Sequence, residues 1–262
     1  MVIIMGLRGA ILGDIGGSLA EFQNIEQQRK MTDFFKWNSV FTDDTIQSVA
    51  VKMALLQNRP YRDVLLEMGR KYLFVGYGGG FHRFLDDPDN AFCGSYANGA
   101  AMRVSYIGTH FHTLEEAEKE AEKSAVVTHN SEESIRGAKV TAGCIFLAEH
   151  NSSKEEILAY AAQYYPLELF EYSVLRPLSE YCSRYKFEVR CDNSVPVAIR
   201  CFYESSSYIS FLQKVHMVGG DTDTLGAIGG GIAESFYRGT GLDEDKLLAY
   251  YLDNTLWEWV NR

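Results

Sequence analysis

The chain has 262 residues, 46% of them hydrophobic, enough for one large core, and no Pro-, Ser- or charge-rich linker divides it, so residues 1–262 are read as a single domain. Its formal net charge of −10 excludes a broad nucleic-acid surface, which would need clustered Lys and Arg; a small anion held by helix N-termini or bound metal stays compatible. The five cysteines (Cys93, Cys144, Cys182, Cys191, Cys201) are odd in number and lack CxxC spacing, which excludes a disulfide framework or zinc ribbon and points to a reducing cytoplasm.

In chain order, the stretch from Met1 to Ala20 is not read as a leader, because it lacks a basic start and is interrupted by Arg8 and Asp14. No segment approaches the roughly 18 uninterrupted apolar residues of a membrane span. The acidic cluster Thr42-Asp43-Asp44-Thr45 precedes Ile46, Val49, Ala50, Met53 and Ala54, whose spacing marks one buried helical face. Glycine-rich breaks follow at Gly76 to Gly80 and Gly94 to Gly99. Thr113 with Glu116 and Ser152 with Glu155 have capping-box spacing, and Ser131 is placed to cap a helix running to Ala148. The charged run Glu115 to Lys123 reads as a solvated helix face. Pro196 and Asp243 are expected to open later helices. Between them, Gly219-Gly220-Asp221-Thr222-Asp223-Thr224 carries a second acidic cluster ahead of the helical pattern Leu225, Ile228, Ile232 and Phe236. Sustained period-2 alternation is hard to find, so the expected fold is all-α with ten or more helices.

Each acidic cluster sets two carboxylates beside hydroxyls where a helix begins. Asp and Thr are common N-caps, so either cluster alone is open to a purely structural reading. Together they read as two halves of a hard-cation site. Oxygen-only ligands select Mg²⁺, Mn²⁺ or Ca²⁺ over zinc, and four neighbouring carboxylates call for two divalent ions between them.

Gly13-Asp14 with Glu21-Phe22, then Phe41 to Thr45, then Tyr96 to Arg103, then Thr128-His129-Asn130, then Gly219 to Thr224 with Tyr237 closing the helix, resemble the ordered motifs of the ADP-ribosylglycohydrolase family. The resemblance implies a single compact all-α domain with a binuclear Mg²⁺ or Mn²⁺ centre. It implies Thr42, Asp43, Asp44, Asp221, Asp223 and Thr224 as metal ligands, with Asp14 in a capping or supporting role. Glu21, Asp43 and Asp44 become the candidate proton acceptors, Glu21 matching a mobile acidic residue. Gly94, Ser95, Tyr96, Ala97, Asn98 and Gly99 would wrap the diphosphate and distal ribose, with His129 beside the phosphates. Ala97 departs from a glycine common at that position, which would restrict the local backbone, and Asn130-Ser131 stands where many relatives have His-Pro.

Such a centre would bind the cis hydroxyls of a ribose and hold a water beside the anomeric carbon, releasing ADP-ribose from a modified protein or small conjugate. The expected acceptor is an arginine side chain, with a serine O-linkage as the runner-up. Discrimination is expected at a pocket mouth around Tyr77, Phe81 and a loop from Cys191 to Pro196. The rival readings are a non-catalytic ADP-ribose-binding module and a structural Ca²⁺ site.

Overall fold

The computed structural model describes residues 5–262. Its elements are α1 (Leu7–Ser18), α2 (Ile25–Lys30), α3 (Asp43–Gln57), α4 (Tyr61–Lys71), α5 (Gly79–Asp86), α6 (Gly99–Met102), α7 (Ser105–His110), α8 (Leu114–Ala125), α9 (Glu132–Glu149), α10 (Lys154–Tyr164), α11 (Leu178–Arg184), α12 (Cys191–Tyr203), α13 (Tyr208–Val218), α14 (Thr222–Tyr237), α15 (Glu244–Tyr251) and α16 (Asn254–Asn261). Among the described residues the only β pairing is two isolated bridges, Gly94 to His129 and Ala97 to Arg190, so the fold is all-α as expected.

At the centre α1 lies along α14 more extensively than any other helix pair. A Cβ added at Gly13 would sit 2.0 Å from the Gly226 carbonyl oxygen, one at Gly9 2.5 Å from that of Gly230, and one at Gly17 2.3 Å from that of Thr222. The pairing order runs in opposite directions, so the two helices are antiparallel and their backbones touch where only glycine fits. The consequence is positional. The start of α14, carrying Asp221 and Asp223, is brought against the end of α1, which leads into Glu21.

Two helix starts and one helix face differ from expectation. The capping box of α10 is Ser153 with Glu156, because Asn151 takes a left-handed conformation (φ 62°) and Ser152 is consumed in closing α9, its amide donating to the Leu147 carbonyl. Pro196 lies inside α12, which begins at Cys191, so residues 191–196 are helix and not loop. That start carries no local cap: the Asp192 amide donates to the Glu133 carboxylate at 3.2 Å, a cap supplied by α9. The face of α8 is only partly solvated, since Glu118 accepts from the Tyr160 and Tyr164 hydroxyls and Glu120 from that of Tyr61. Asp243 does cap α15, and Ser131 caps α9, which runs on to Glu149.

Candidate active site

The first cluster is shaped by Asp14, buried in α1. Its carboxylate accepts from the Thr42 amide at 3.0 Å, the Thr42 hydroxyl at 2.8 Å, the Thr45 amide at 3.1 Å and the Thr45 hydroxyl, capping α3 from a different helix. Thr45 is thereby turned away from the cavity, while Asp43 and Asp44 line it. The Asp43 carboxylate is steadied by Gln47, whose Nε2 donates to it at 2.8 Å.

The second cluster rests on the Gly219-Gly220 turn, whose φ values of 79° and 83° lie in the left-handed region. Buried Gln28 brackets Gly220, accepting from its amide at 2.9 Å and donating to its carbonyl at 3.0 Å. Thr222 donates to the Gly17 carbonyl at 2.8 Å, which leaves Asp221, Asp223 and Thr224 facing the cavity. The two clusters meet at Asp44: its Oδ2 accepts from the Thr224 hydroxyl at 3.3 Å and lies 3.3 Å from the Thr42 hydroxyl, whose proton goes to the nearer Asp14. Glu21, Asp221 and Asp223 each place an oxygen within 4.8 Å of the others.

Five carboxylates in one cavity disfavour full ionisation. Burial, with repulsion from Asp14 and Asp221, pushes Asp43 up to about 7. Burial and then Asp221 push Glu21 up to about 7. Asp44 and Asp223 are raised well above the carboxylate range by burial and then by neighbouring acids. Asp44 Oδ1 is buried without a hydrogen-bond partner among the described residues, an arrangement that costs stability unless something fills it. An all-oxygen donor set with an orphaned carboxylate oxygen, and with no ion pair to an ammonium or guanidinium among the described residues, fits a hard divalent cation.

The substrate loop is fixed from three sides. The Ser131 and Ser134 hydroxyls donate to the Ser95 carbonyl at 2.9 and 3.0 Å, and the Asn98 amide donates to the Val189 carbonyl at 2.7 Å. Asn98 Nδ2 then donates to Asp221 at 2.7 Å, joining the loop to the acidic centre. Ala97 takes an ordinary backbone conformation, since Asn58, Asn151 and Arg238 are the non-glycine residues with positive φ among those described, so no strain follows from its methyl group. A Cβ at Gly99 would crowd His129 Nε2 at 3.1 Å, and one at Gly94 would meet the exposed Phe92 ring at 2.4 Å, which can swing aside. The Arg190 guanidinium lies 4.9 Å over the Tyr96 ring and pairs with Glu133 at 2.6 Å.

Arg103 and Gln47 form a link that sequence reasoning missed. Fully buried Arg103 donates from Nη1 to Gln47 Oε1 at 2.8 Å and to the Thr128 hydroxyl at 3.1 Å. The Thr128 hydroxyl lies 2.7 Å from His129 Nδ1, the one acceptor in reach of its proton among the described residues. Burial and the nearby Arg103 charge hold His129 well below the ordinary imidazole range, so the ring is neutral, with Nδ1 accepting and Nε2 carrying the proton. His129 thus offers the cavity a fixed N–H donor. The Tyr-Ala-Asn-Gly-Ala-Ala-Met-Arg motif contained Arg103, but nothing in its spacing showed a guanidinium turned inward.

These groups line one cavity of about 960 Å³, floored by Thr42, Asp43, Asp44, Asp221, Asp223, Thr224 and Glu21 and walled by residues 94–99 and His129. Every residue anticipated as a metal ligand, proton acceptor or substrate contact therefore lies on it. Its mouth departs from expectation: Phe81 lines the cavity, whereas Tyr77 is buried behind it in a stack at 4.7 Å and the start of α12 does not reach it. The rim is instead Phe22, Val40, Phe74, Phe92 and Phe187, all more than half exposed. Arg83 is the one Lys or Arg among the lining residues, and it makes no ion pair among the described residues.

Comparison with known proteins agrees with this geometry. The ADP-ribosylglycohydrolase family model matches residues 3–260. ADP-ribosylhydrolase ARH3 of Homo sapiens is 28% identical over 91% of this chain and 85% of its own length, and that of Bos taurus is 28% identical over 88% and 83%. A solved structure titled ADP-ribosylglycohydrolase-related protein complex superposes with a TM-score of 0.75 at 20% identity, covering 98% of this chain and 94% of the other, and so shares the fold. On these grounds the chain belongs to the ADP-ribosylglycohydrolase family and is a glycosidic-bond hydrolase of ADP-ribose conjugates.

Proposed function

We propose that this chain hydrolyses the bond between ADP-ribose and a hydroxyl-linked acceptor, a serine side chain on protein, using divalent cations held by Thr42, Asp43, Asp44, Asp221, Asp223 and Thr224. The observation that carries this reading is the junction of the two acidic clusters at Asp44, beside a cavity large enough for a nucleotide sugar. Bound there, Mg²⁺ or Mn²⁺ would supply Lewis-acid polarisation of the ribose hydroxyls and of a water.

The protein's own groups divide the remaining work. Glu21 is only partly buried and borders the cavity, so it is the carboxylate placed to take the proton of the attacking water. The carboxylates of Asp43 and Asp44 face the positive charge that develops at the anomeric carbon as the bond to the acceptor oxygen lengthens. His129 Nε2–H, the Asn98 loop and Arg83 are the donors available to the diphosphate, and Phe92 and Tyr96 offer apolar faces to the base. The serine linkage is preferred over the arginine linkage because Arg29 and Arg184 line the ground beyond Glu21 and repel a guanidinium.

The test is incubation with serine-linked, arginine-linked and nucleobase-linked ADP-ribose in Mg²⁺ or Mn²⁺, with free ADP-ribose measured by chromatography. Release from the serine conjugate at least about tenfold faster than from the arginine conjugate is expected. Faster release from arginine would reverse the acceptor assignment, and release from none would overturn the enzymatic reading.

A further inference from the structure

A second cavity, of about 380 Å³, shares the walls Glu21 and Phe187 with the first. The ridge between them is Glu21 with the stacked rings of Phe22 and Phe187, 6.2 Å apart. Its polar lining is opposite in sign to the acidic centre: Arg29, Arg184 and Lys186 contribute three cations against the single carboxylate of Glu21. In a chain of net charge −10 such a concentration needs a reason.

Two of the three, Arg29 and Lys186, have no carboxylate partner among the described residues, and the third, Arg184, has only a distant one. Arg29 donates to the Met217 carbonyl at 3.0 Å and to that of Cys182, but has no carboxylate partner among the described residues. Arg184 donates to the Glu171 carbonyl at 2.8 Å, reaches the Glu171 carboxylate only at 3.9 Å, and keeps its Nε buried without a partner. Lys186 is exposed, and no hydrogen bond or ion pair involves its ammonium among the described residues. The segment is nonetheless anchored to the acidic centre, because a Cβ on Gly220, the neighbour of Asp221, would lie 2.8 Å from the Lys186 carbonyl oxygen.

Direction follows from the first cavity. Residues 94–99, His129 and Phe92 are the part of its lining suited to diphosphate and base, and the acidic cluster is the part suited to the reacting ribose. Glu21 belongs to that acidic cluster and also lines the second cavity, so the second cavity adjoins the place where a group bonded to the anomeric carbon would lie. Resting on the proposed function, we propose that this basic cavity is an acceptor-side subsite for carboxylate side chains of the modified polypeptide flanking the ADP-ribosylated residue.

The test uses two ADP-ribosyl-serine peptides of equal length, one flanked by Asp and Glu and one by Asn and Gln, together with ADP-ribosyl-serine itself. The full chain should show a KM roughly 5- to 10-fold lower for the acidic peptide, an advantage that shrinks as salt is raised. Lys186→Glu, a change at an exposed position, should abolish that advantage while leaving turnover of the small conjugate unchanged. Equal KM values for the two peptides, or a preference that survives Lys186→Glu and Arg29→Gln alike, would overturn the subsite. If no conjugate is turned over, the hydrolase reading fails separately, and the subsite is judged by the affinities of the same two peptides for the protein: tighter binding of the acidic one supports it, and equal affinity overturns it.

Discussion

Thr128 has one proton, and its placement sets what His129 can do. Because Arg103 can only donate, the hydroxyl accepts from it and passes its own proton toward Nδ1, keeping Nε2–H available to a phosphate oxygen. Thr128→Val preserves shape and removes that proton. ADP-ribose affinity measured by calorimetry should fall about 5- to 20-fold, the worth of one or two oriented hydrogen bonds, while Mg²⁺ affinity is unchanged. Unaltered ADP-ribose affinity would mean that His129 is oriented by packing alone. Arg83→Ala belongs to the same scale: it should weaken ADP-ribose and flatten the salt dependence of its binding, yet leave adenosine binding untouched, since adenosine has no phosphate for the guanidinium to meet. His129 was legible from its Thr-His-Asn context. Arg103 was not, because its partners come from α3 (Gln47), α8 (Ser124) and the turn after α8 (Thr128), and only the folded chain assembles them.

Among the elements, α1 and α14 decide the geometry. Their spacing of glycines at 9, 13 and 17 and at 226 and 230 was available in the sequence as an i, i+4 repeat, and it marks the face where two helix backbones touch. Gly13→Ala would force a methyl group to within 2.0 Å of a carbonyl oxygen, a contact no side-chain adjustment can relieve. Overpacking of this kind costs about 3 kcal/mol, so the melting temperature should drop by roughly 6–12 °C. A Gly78→Ala control, with open space around the added atom, should not show this. Helix starts with their own caps, at Thr42, Thr113 and Asp243, were readable from local spacing. The start of α12 was not, because Glu133 on α9 supplies its cap and Pro196 gave a false signal five residues later.

At the scale of the whole molecule, burial of Glu234 ties stability to pH. Its carboxyl, at 1% exposure, accepts from the Gly9 amide at 2.6 Å and is pushed up to about 8 by burial and then by Glu244. The folded chain therefore keeps a proton that the unfolded chain releases near 4.5, so stability contributed by this group is full below about 4.5 and is lost as pH rises through about 8. Glu234→Gln keeps an acceptor for Gly9 and removes the titration. Its denaturation midpoint should fall less steeply than the parent's between pH 5 and pH 8; identical slopes would show that Glu234 does not titrate in that window. Class and the two acidic clusters could be read from spacing because helix periodicity and caps are local. The acceptor side could not, since residues 184–187 carry no periodic signal and acquire meaning only beside Glu21.

The two acidic clusters, about 180 positions apart in the chain, stand or fall together through Asp44 and Thr224. The direct measurement is Mg²⁺ or Mn²⁺ binding by calorimetry, paired with release of ADP-ribose from the serine conjugate, for the parent, Asp223→Asn and an Asp243→Asn control. Asp223→Asn keeps shape but weakens a ligand, so cation affinity and turnover should fall together by at least about tenfold, the control should match the parent, and chelator should abolish turnover in all three. Unchanged cation affinity and undiminished cation-dependent release in Asp223→Asn would contradict a shared site and return both acidic motifs to the role of helix caps.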